Sequence, residues 1–324
     1  GVHYCGYPIT ELATFEPEDI VYLLFNKELP NAEQSVAIRQ DLASRAALPG
    51  DLESVLKTLP KFGHPMDWLS VGIHTLGMLE TTNDWREDAL NLIARMPRLM
   101  GLIFRIREGR EQDIPADDTS LSMVERFVRT LDLHDTDPVK MSQIISTYLV
   151  LHMDHGGGNL STFVGKATAS SKATVYSSMA GAMNALSGPL HGRANQSCLE
   201  FVLKVGTSDP VEVEAFVRAE LKANRPIFGF GHAVLRTEDP RATVQFKLGS
   251  EICPDDENFK IITTLREVVP RVLSENPKIR NPNANVDIAS GALLHHAGLT
   301  DPTYYTTFFG WARVAGIGAQ IVDE

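Results

Sequence analysis

Apolar residues recur at intervals of three and four along almost the whole chain, the spacing that lines one face of a helix. Pro17-Glu18-Asp19 opens such a stretch to about Phe25, with acids in the first turn where the helix dipole favours them. Asn31 can cap a second stretch that runs to about Leu48. From His64 to Leu79, the residues Trp68, Ile73, Leu76 and Leu79 fall close to helical spacing. Trp85 to Arg110 is long, and Pro97 is expected to kink or divide it, because proline removes a helix hydrogen bond. Further helices fit 120–131, 138–153, 161–169, 172–187, 194–205, 210–223, 240–252, 257–275, 286–298 and 303–321. Strand signals are sparse, with a short hairpin near residues 1–9 the best of them. The pattern amounts to about fourteen helices and predicts an all-α, multi-helical fold. No repeat or heptad array interrupts it.

Glycine, proline and asparagine gather near 155–159, 188–193, 225–239 and 276–285, which marks these segments as loops. Nearly all the candidate chemistry falls in them or at the helix starts beside them, where a rigid scaffold usually carries function.

With 324 residues and 43% hydrophobic content, the chain can bury a large core and divide into two domains. Its 41 acidic and 30 basic side chains leave a formal charge of −11, which argues against nucleic acid as the main partner. A local group of arginines can still hold a small anion, since distant carboxylates are screened. The three cysteines, Cys5, Cys198 and Cys253, have the spacing of neither a disulfide framework nor a zinc ribbon, and read as thiols of a reducing compartment. No apolar run approaches the ~20 residues that cross a bilayer. No secretory signal opens the sequence. A cytoplasmic or mitochondrial-matrix protein, not secreted and not membrane-bound, is therefore expected.

Three glycine-rich islands stand out. In Gly188-Pro189-Leu190-His191-Gly192-Arg193-Ala194-Asn195, the imidazole of His191 precedes a new helix. The helix dipole and Arg193 would keep it neutral, ready to donate an N–H to an enolate; a capping or packed histidine is the plainer alternative. In Phe228-Gly229-Phe230-Gly231-His232, the glycines allow close backbone approach, but no strand and GxGxxG order marks a dinucleotide site. Asp239 and Pro240 then start a helix whose first turn holds Arg241, unfavourable for the dipole unless a bound carboxylate compensates. A solvated arginine is the alternative.

Asn285-Val286-Asp287 begins another helix, and Asp287 is either a first-turn acid or a general base. With an ordinary pKa of about 3.9, an aspartate deprotonates carbon only if something stabilises the enolate strongly, such as His191. Lys278 and Arg280, just upstream, can meet phosphates or simply face water. His152 and His155 have i, i+3 spacing, but without HExxH or cysteine support they do not make a metal site. An imidazole N–H meeting a substrate carboxylate is at least as good a reading of them.

These islands, taken in order with Tyr4-Cys5-Gly6-Tyr7-Pro8-Ile9, His64-Pro65-Met66, the segment from His152 to Asn159, Ser161-Thr162-Phe163 and Gly310-Trp311-Ala312-Arg313, resemble the citrate synthase family that includes the mitochondrial enzymes. The resemblance covers essentially the whole chain. It implies a large domain of residues 1–193 and 300–324, a small domain of 194–299, and an active site in the cleft between them. It implies that Asp287 takes a methyl proton from acetyl-CoA and that His191 stabilises the enolate. His232 would polarise the oxaloacetate ketone, and His155, Arg241 and Arg313 would bind its carboxylates. Arg236 and Arg280 match positions that contact CoA phosphates, with Arg107 or Arg110 as further candidates. Hydrolysis of citryl-CoA would then release citrate and CoA. The partners implied are oxaloacetate and an acyl-CoA, in a homodimer that needs no metal and no permanently bound cofactor.

A 2-methylcitrate synthase acting on propionyl-CoA would use the same residues, since one methylene is worth only ~1–3 kcal/mol in a pocket. A non-catalytic paralogue that keeps the fold is the alternative from another class. This chain departs from the family at Cys5, where relatives carry arginine, at Gly156, where many carry an acid, and at Arg193, where a small residue is usual.

Overall fold

A computed structural model describes residues 1–232 and 234–324. Strands β1 (His3–Tyr4) and β2 (Tyr7–Pro8) form the expected hairpin, pairing Tyr4 with Tyr7. Cys5 and Gly6 close it with φ of 49° and 90°, the left-handed geometry of a two-residue turn. Helices follow: α1 (Ile9–Leu12), α2 (Pro17–Asn26), α3 (Ala32–Arg45), α4 (Gly50–Lys57), α5 (Pro65–Glu80) and α6 (Trp85–Arg107). Next come α7 (Met123–Leu131), α8 (Pro138–His152), α9 (Leu160–Ala169), α10 (Val175–Leu186) and α11 (Ala194–Val205). The last are α12 (Pro210–Lys222), α13 (Pro240–Ile252), α14 (Glu257–Leu273), α15 (Asp287–His296) and α16 (Tyr305–Val322). The fold is all-α.

Local chemistry accounts for most boundaries. Asn31 and Gln34 form a capping box at the start of α3. That helix stops at Arg45, short of Leu48, because Pro49 disfavours helical geometry in the residue before it. Of the two outcomes expected at Pro97, division does not occur: α6 continues through it. Pro97, Met96, Leu99 and Met100 are all buried, and their packing outweighs one lost backbone hydrogen bond. Helices α1 and α4 were not foreseen; they are short, and α4 buries only Leu52 and Leu56.

The chain forms two compact units, one of Gly1–Ala13 with Arg193–Tyr305, the other of Thr14–Gly192 with Thr306–Glu324. In the first, α11 and α13 pack on α15, α12 packs on α14, and α1 lies against α13. In the second, α10 packs on α9 and α5, and α6 on α7. Its core holds an aromatic cluster in which the Phe127 ring stands 5.8 Å from Phe104, 5.4 Å from Phe308 and 5.1 Å from Trp311. Edge-on packing of this kind adds to plain burial. Buried Glu18 of α2 accepts the Met123 N–H at 2.7 Å, satisfying one orphan donor of α7. Among the described residues, no helix is long and apolar enough to cross a membrane.

Candidate active site

In the second unit, α8 ends at His152, and the turn that follows leads through His155 to α9. His191 lies in the irregular segment after α10, where its N–H donates to the Gly188 carbonyl at 3.0 Å and the Gly192 N–H to the Leu186 carbonyl at 2.9 Å. The backbone N–H of Ser161, in the first turn of α9, points at His191 Nε2 from 3.4 Å, and the Ser161 hydroxyl stands 3.0 Å from the same nitrogen. A backbone N–H can only donate, so Nε2 accepts and the proton of the neutral ring sits on Nδ1. Burial pushes His191 down to about 4, and the charges of Arg313 and His155 push the same way. The sequence reading had the direction right but gave the helix dipole, with Arg193 adding to it, as the cause; the cause is burial first, then these two residues.

Arg313 is buried on α16, with Nε donating to the His152 carbonyl at 2.8 Å and the guanidinium 4.6 Å from the centre of the Phe309 ring. Phe309 also stands edge-on to His191 at 6.2 Å and to His152 at 5.5 Å. Phe309 was not singled out from sequence; its place beside Arg313 in Phe308-Phe309-Gly310-Trp311-Ala312-Arg313 was the one available signal. His155 is exposed. His152 stacks on Tyr148 and hydrogen-bonds the Tyr148 carbonyl through Nδ1 at 2.8 Å. Among the described residues, no group of three or more His, Cys, Asp or Glu side chains is arranged to hold a metal ion.

In the first unit, two loops are laced together by asparagines. Phe230 bridges Ala284, the Gly231 N–H donates to the Asn283 carbonyl at 2.8 Å, and the Asn285 N–H donates to Gly229 at 2.9 Å. The Asn281 amide donates to the carbonyls of Leu235 and Thr237, at 2.9 and 3.1 Å. Gly229 is obligatory here: its φ is +83°, and a Cβ would stand 2.8 Å from both Cys198 Sγ and Ile288 Cβ.

The lacing fixes His232, whose Nδ1 accepts from the N–H groups of Val234 at 3.0 Å and Leu235 at 2.9 Å. The proton of neutral His232 is therefore on Nε2. Burial lowers its pKa; Asp239 opposes that, and Arg241 and Arg236 reinforce it.

Asp239 caps α13, as expected, and also grips Arg241. Nε and Nη2 of Arg241 donate to its carboxylate, the latter at 2.7 Å, and both residues are buried. The unfavourable charge in the first turn of α13 is thus met by the protein's own carboxylate.

Asp287 is the first residue of α15, its N–H held by Asn285 Oδ1 at 3.0 Å. Burial raises its carboxyl to about 6; Arg241 pulls the other way and Asp239 adds to the rise. The carboxylate therefore holds a proton more tightly than the ordinary aspartate assumed from sequence. Arg236 and Arg280 are exposed on the two laced loops, and Arg236 donates to the Leu235 carbonyl at 3.0 Å.

One unit thus carries His232, Arg241 and Asp287 together, and the other carries His155, His191 and Arg313. In the first unit, a carboxyl raised by burial and an imidazole of fixed tautomer are equipment for proton transfer at a carbon next to a carbonyl. Comparison with known proteins leads to the same class. Residues 2–324 match the family model described as citrate synthase, C-terminal domain. The chain is 36% identical to mitochondrial citrate synthase 4 of Arabidopsis thaliana, over 94% of its own length and 68% of that protein. It is 35% identical to the mitochondrial 2-methylcitrate synthase of Yarrowia lipolytica, over 95% of its length and 70% of that protein. The crystal structure of citrate synthase from Pyrobaculum aerophilum superposes with a TM-score of 0.88 at 27% identity, covering 99% of this chain and 82% of that one. The chain belongs to the citrate synthase family, a family of acyltransferases that form a carbon–carbon bond.

Proposed function

We propose that the protein is a citrate synthase that condenses acetyl-CoA with oxaloacetate and hydrolyses citryl-CoA to citrate and CoA. The observation that carries this reading is the opposite tuning of two groups: Asp287 raised to about 6 and His191 lowered to about 4. Near neutral pH the first is a carboxylate able to accept a proton, and the second an uncharged donor.

In this reading, both sets of residues act on one substrate pair. Asp287 takes a proton from the acetyl methyl group, and His191 donates Nδ1–H to the thioester oxygen as the enolate forms. The enolate carbon attacks the oxaloacetate ketone, whose oxygen receives a hydrogen bond from Nε2–H of His232. His155, Arg313 and Arg241 bind the oxaloacetate carboxylates. Water then cleaves the thioester. Exposed Arg236 and Arg280 hold the CoA phosphates. A homodimer is supported by Met78, Leu160 and Phe163, large apolar side chains that face solvent on α5 and α9 at 78%, 54% and 61% exposure. The mitochondrial relatives support a matrix location.

The second reading, propionyl-CoA as the acyl donor, is favoured by the nearly equal identity to a 2-methylcitrate synthase. One assay tests both. Thiol release is followed with acetyl-CoA and with propionyl-CoA, each with and without oxaloacetate. Release that needs oxaloacetate and is faster with acetyl-CoA is the expected result. Faster release from propionyl-CoA would establish the second reading, and no release from either would overturn both.

A further inference from the structure

Helix α16 meets the turn before His155 residue by residue. Arg313 Nε donates to the carbonyl of His152 at 2.8 Å, the Gly316 N–H to the carbonyl of Met153 at 3.2 Å, and Gln320 Nε2 to Asp154 Oδ1 at 2.6 Å. The donors are three and four positions apart and share one face of the helix. The acceptors are consecutive, and the next residue is His155.

The approach is close. A Cβ at Gly316 would stand 2.3 Å from the Met153 carbonyl oxygen and 2.8 Å from Asp154 Oδ1, so any side chain there would push the turn away. Asp154 Oδ1 also accepts the Gly156 N–H at 3.4 Å. A single carboxylate oxygen therefore ties down the backbone beyond His155 and anchors the residue before it to α16. A charge-bearing acceptor taking an amide N–H makes one of the stronger kinds of hydrogen bond.

We propose that Gln320 is a positioning residue for oxaloacetate binding, acting through Asp154 to fix where the exposed imidazole of His155 stands relative to Arg313. This rests on the reading of His155 and Arg313 as ligands of the oxaloacetate carboxylates. Gln320 touches no substrate. Its effect is to make the two ligands a preformed pair, so that binding does not have to order the turn.

Gln320→Leu keeps the volume and removes the donor. The expected result is a roughly tenfold rise in the oxaloacetate Kd by calorimetry and in its KM, with kcat changed less than about threefold and the acetyl-CoA KM unchanged. Gln320→Glu keeps the length of the side chain and replaces the donor with an acceptor. It should raise the oxaloacetate KM at least as far as Gln320→Leu does, while kcat and the acetyl-CoA KM hold, a split between the two substrates that a purely structural role would not produce.

A folded Gln320→Leu protein with an unchanged oxaloacetate isotherm overturns the proposal, as does an equal rise in both KM values. If Gln320→Leu does not fold, Gln320→Glu decides: a rise confined to the oxaloacetate KM supports the proposal, and an equal rise in both KM values or in neither overturns it. An unaltered protein that binds oxaloacetate, with variants that bind it equally, sinks only the role of Gln320. An unaltered protein that binds none sinks the functional reading itself.

Discussion

Replacing Asp287 with asparagine should make the protein more stable and inactive at once. Burial raises the Asp287 carboxyl from an ordinary 3.8 to about 6. The folded state therefore holds the proton more tightly than the unfolded chain does. Stability from this group is complete below pH 3.8 and is lost as pH rises through about 6. At pH 8 the ionised carboxylate costs on the order of 3 kcal/mol, at 1.36 kcal/mol for each tenfold change in the ratio. Asparagine keeps the shape and carries no charge, so that cost disappears. For a chain of this length the gain corresponds to about 4 °C in Tm. Melting curves of both proteins from pH 4 to pH 8 check it: the difference should be near zero at the acid end and largest at the alkaline end. Turnover should fall by at least ~10³-fold, since the amide cannot take a proton from carbon. In the unaltered enzyme, kcat/KM for acetyl-CoA should rise with pH through about 6, as the base form appears. A variant that melts with the unaltered protein at pH 8, or that keeps its turnover, would refute the assignment of Asp287 as a base with a raised pKa.

His191→Ala should lower kcat by on the order of 10²–10³-fold, the usual loss for one oxyanion-type donor, with oxaloacetate binding little changed; a near-normal steady-state rate would remove it from that role. Arg241→Leu leaves the buried Asp239 carboxylate without its partner and should cost about 3–5 kcal/mol in denaturant unfolding as well as oxaloacetate affinity. Unchanged stability would mean that the pair is not closed in solution. The double variant Arg236→Ala, Arg280→Ala should raise the acetyl-CoA KM several-fold and flatten its dependence on salt, while kcat holds. An unchanged KM would place the CoA phosphates elsewhere.

Helices were legible in this sequence because their apolar faces are periodic and their starts carry recognisable caps, as at Asn31 and Asp239. Pro97 does not divide α6, because the burial around it outweighs the local rule. His191 and His232 stood out because glycines flank them, and Asp287 because it opens a helix after an asparagine-rich loop. What sequence did not disclose is what tunes them. The tautomer of His191 is set by the Ser161 N–H, thirty positions away in the chain, and the base strength of Asp287 by burial that only the packed fold creates. The grip of Asp239 on Arg241 lay within two residues, yet capping alone did not announce the ion pair. Gln320 looked like any polar residue near the end of a helix; its partner is 166 positions upstream.

The division of the chain into units bears on how it is made. Each unit is assembled from two stretches, and the unit that opens at Thr14 is completed only by Thr306–Glu324. At ~5–20 residues per second, the ribosome needs roughly 6–23 s to pass from the end of the first stretch at Gly192 to the start of the second at Thr306. Throughout that interval, the aromatic rings of Phe104 and Phe127 wait for Phe308 and Trp311. The nascent polypeptide thus carries a sticky, half-built core for most of its synthesis, and a chaperone that shields such surfaces would raise the yield of native protein more than any gain in final stability.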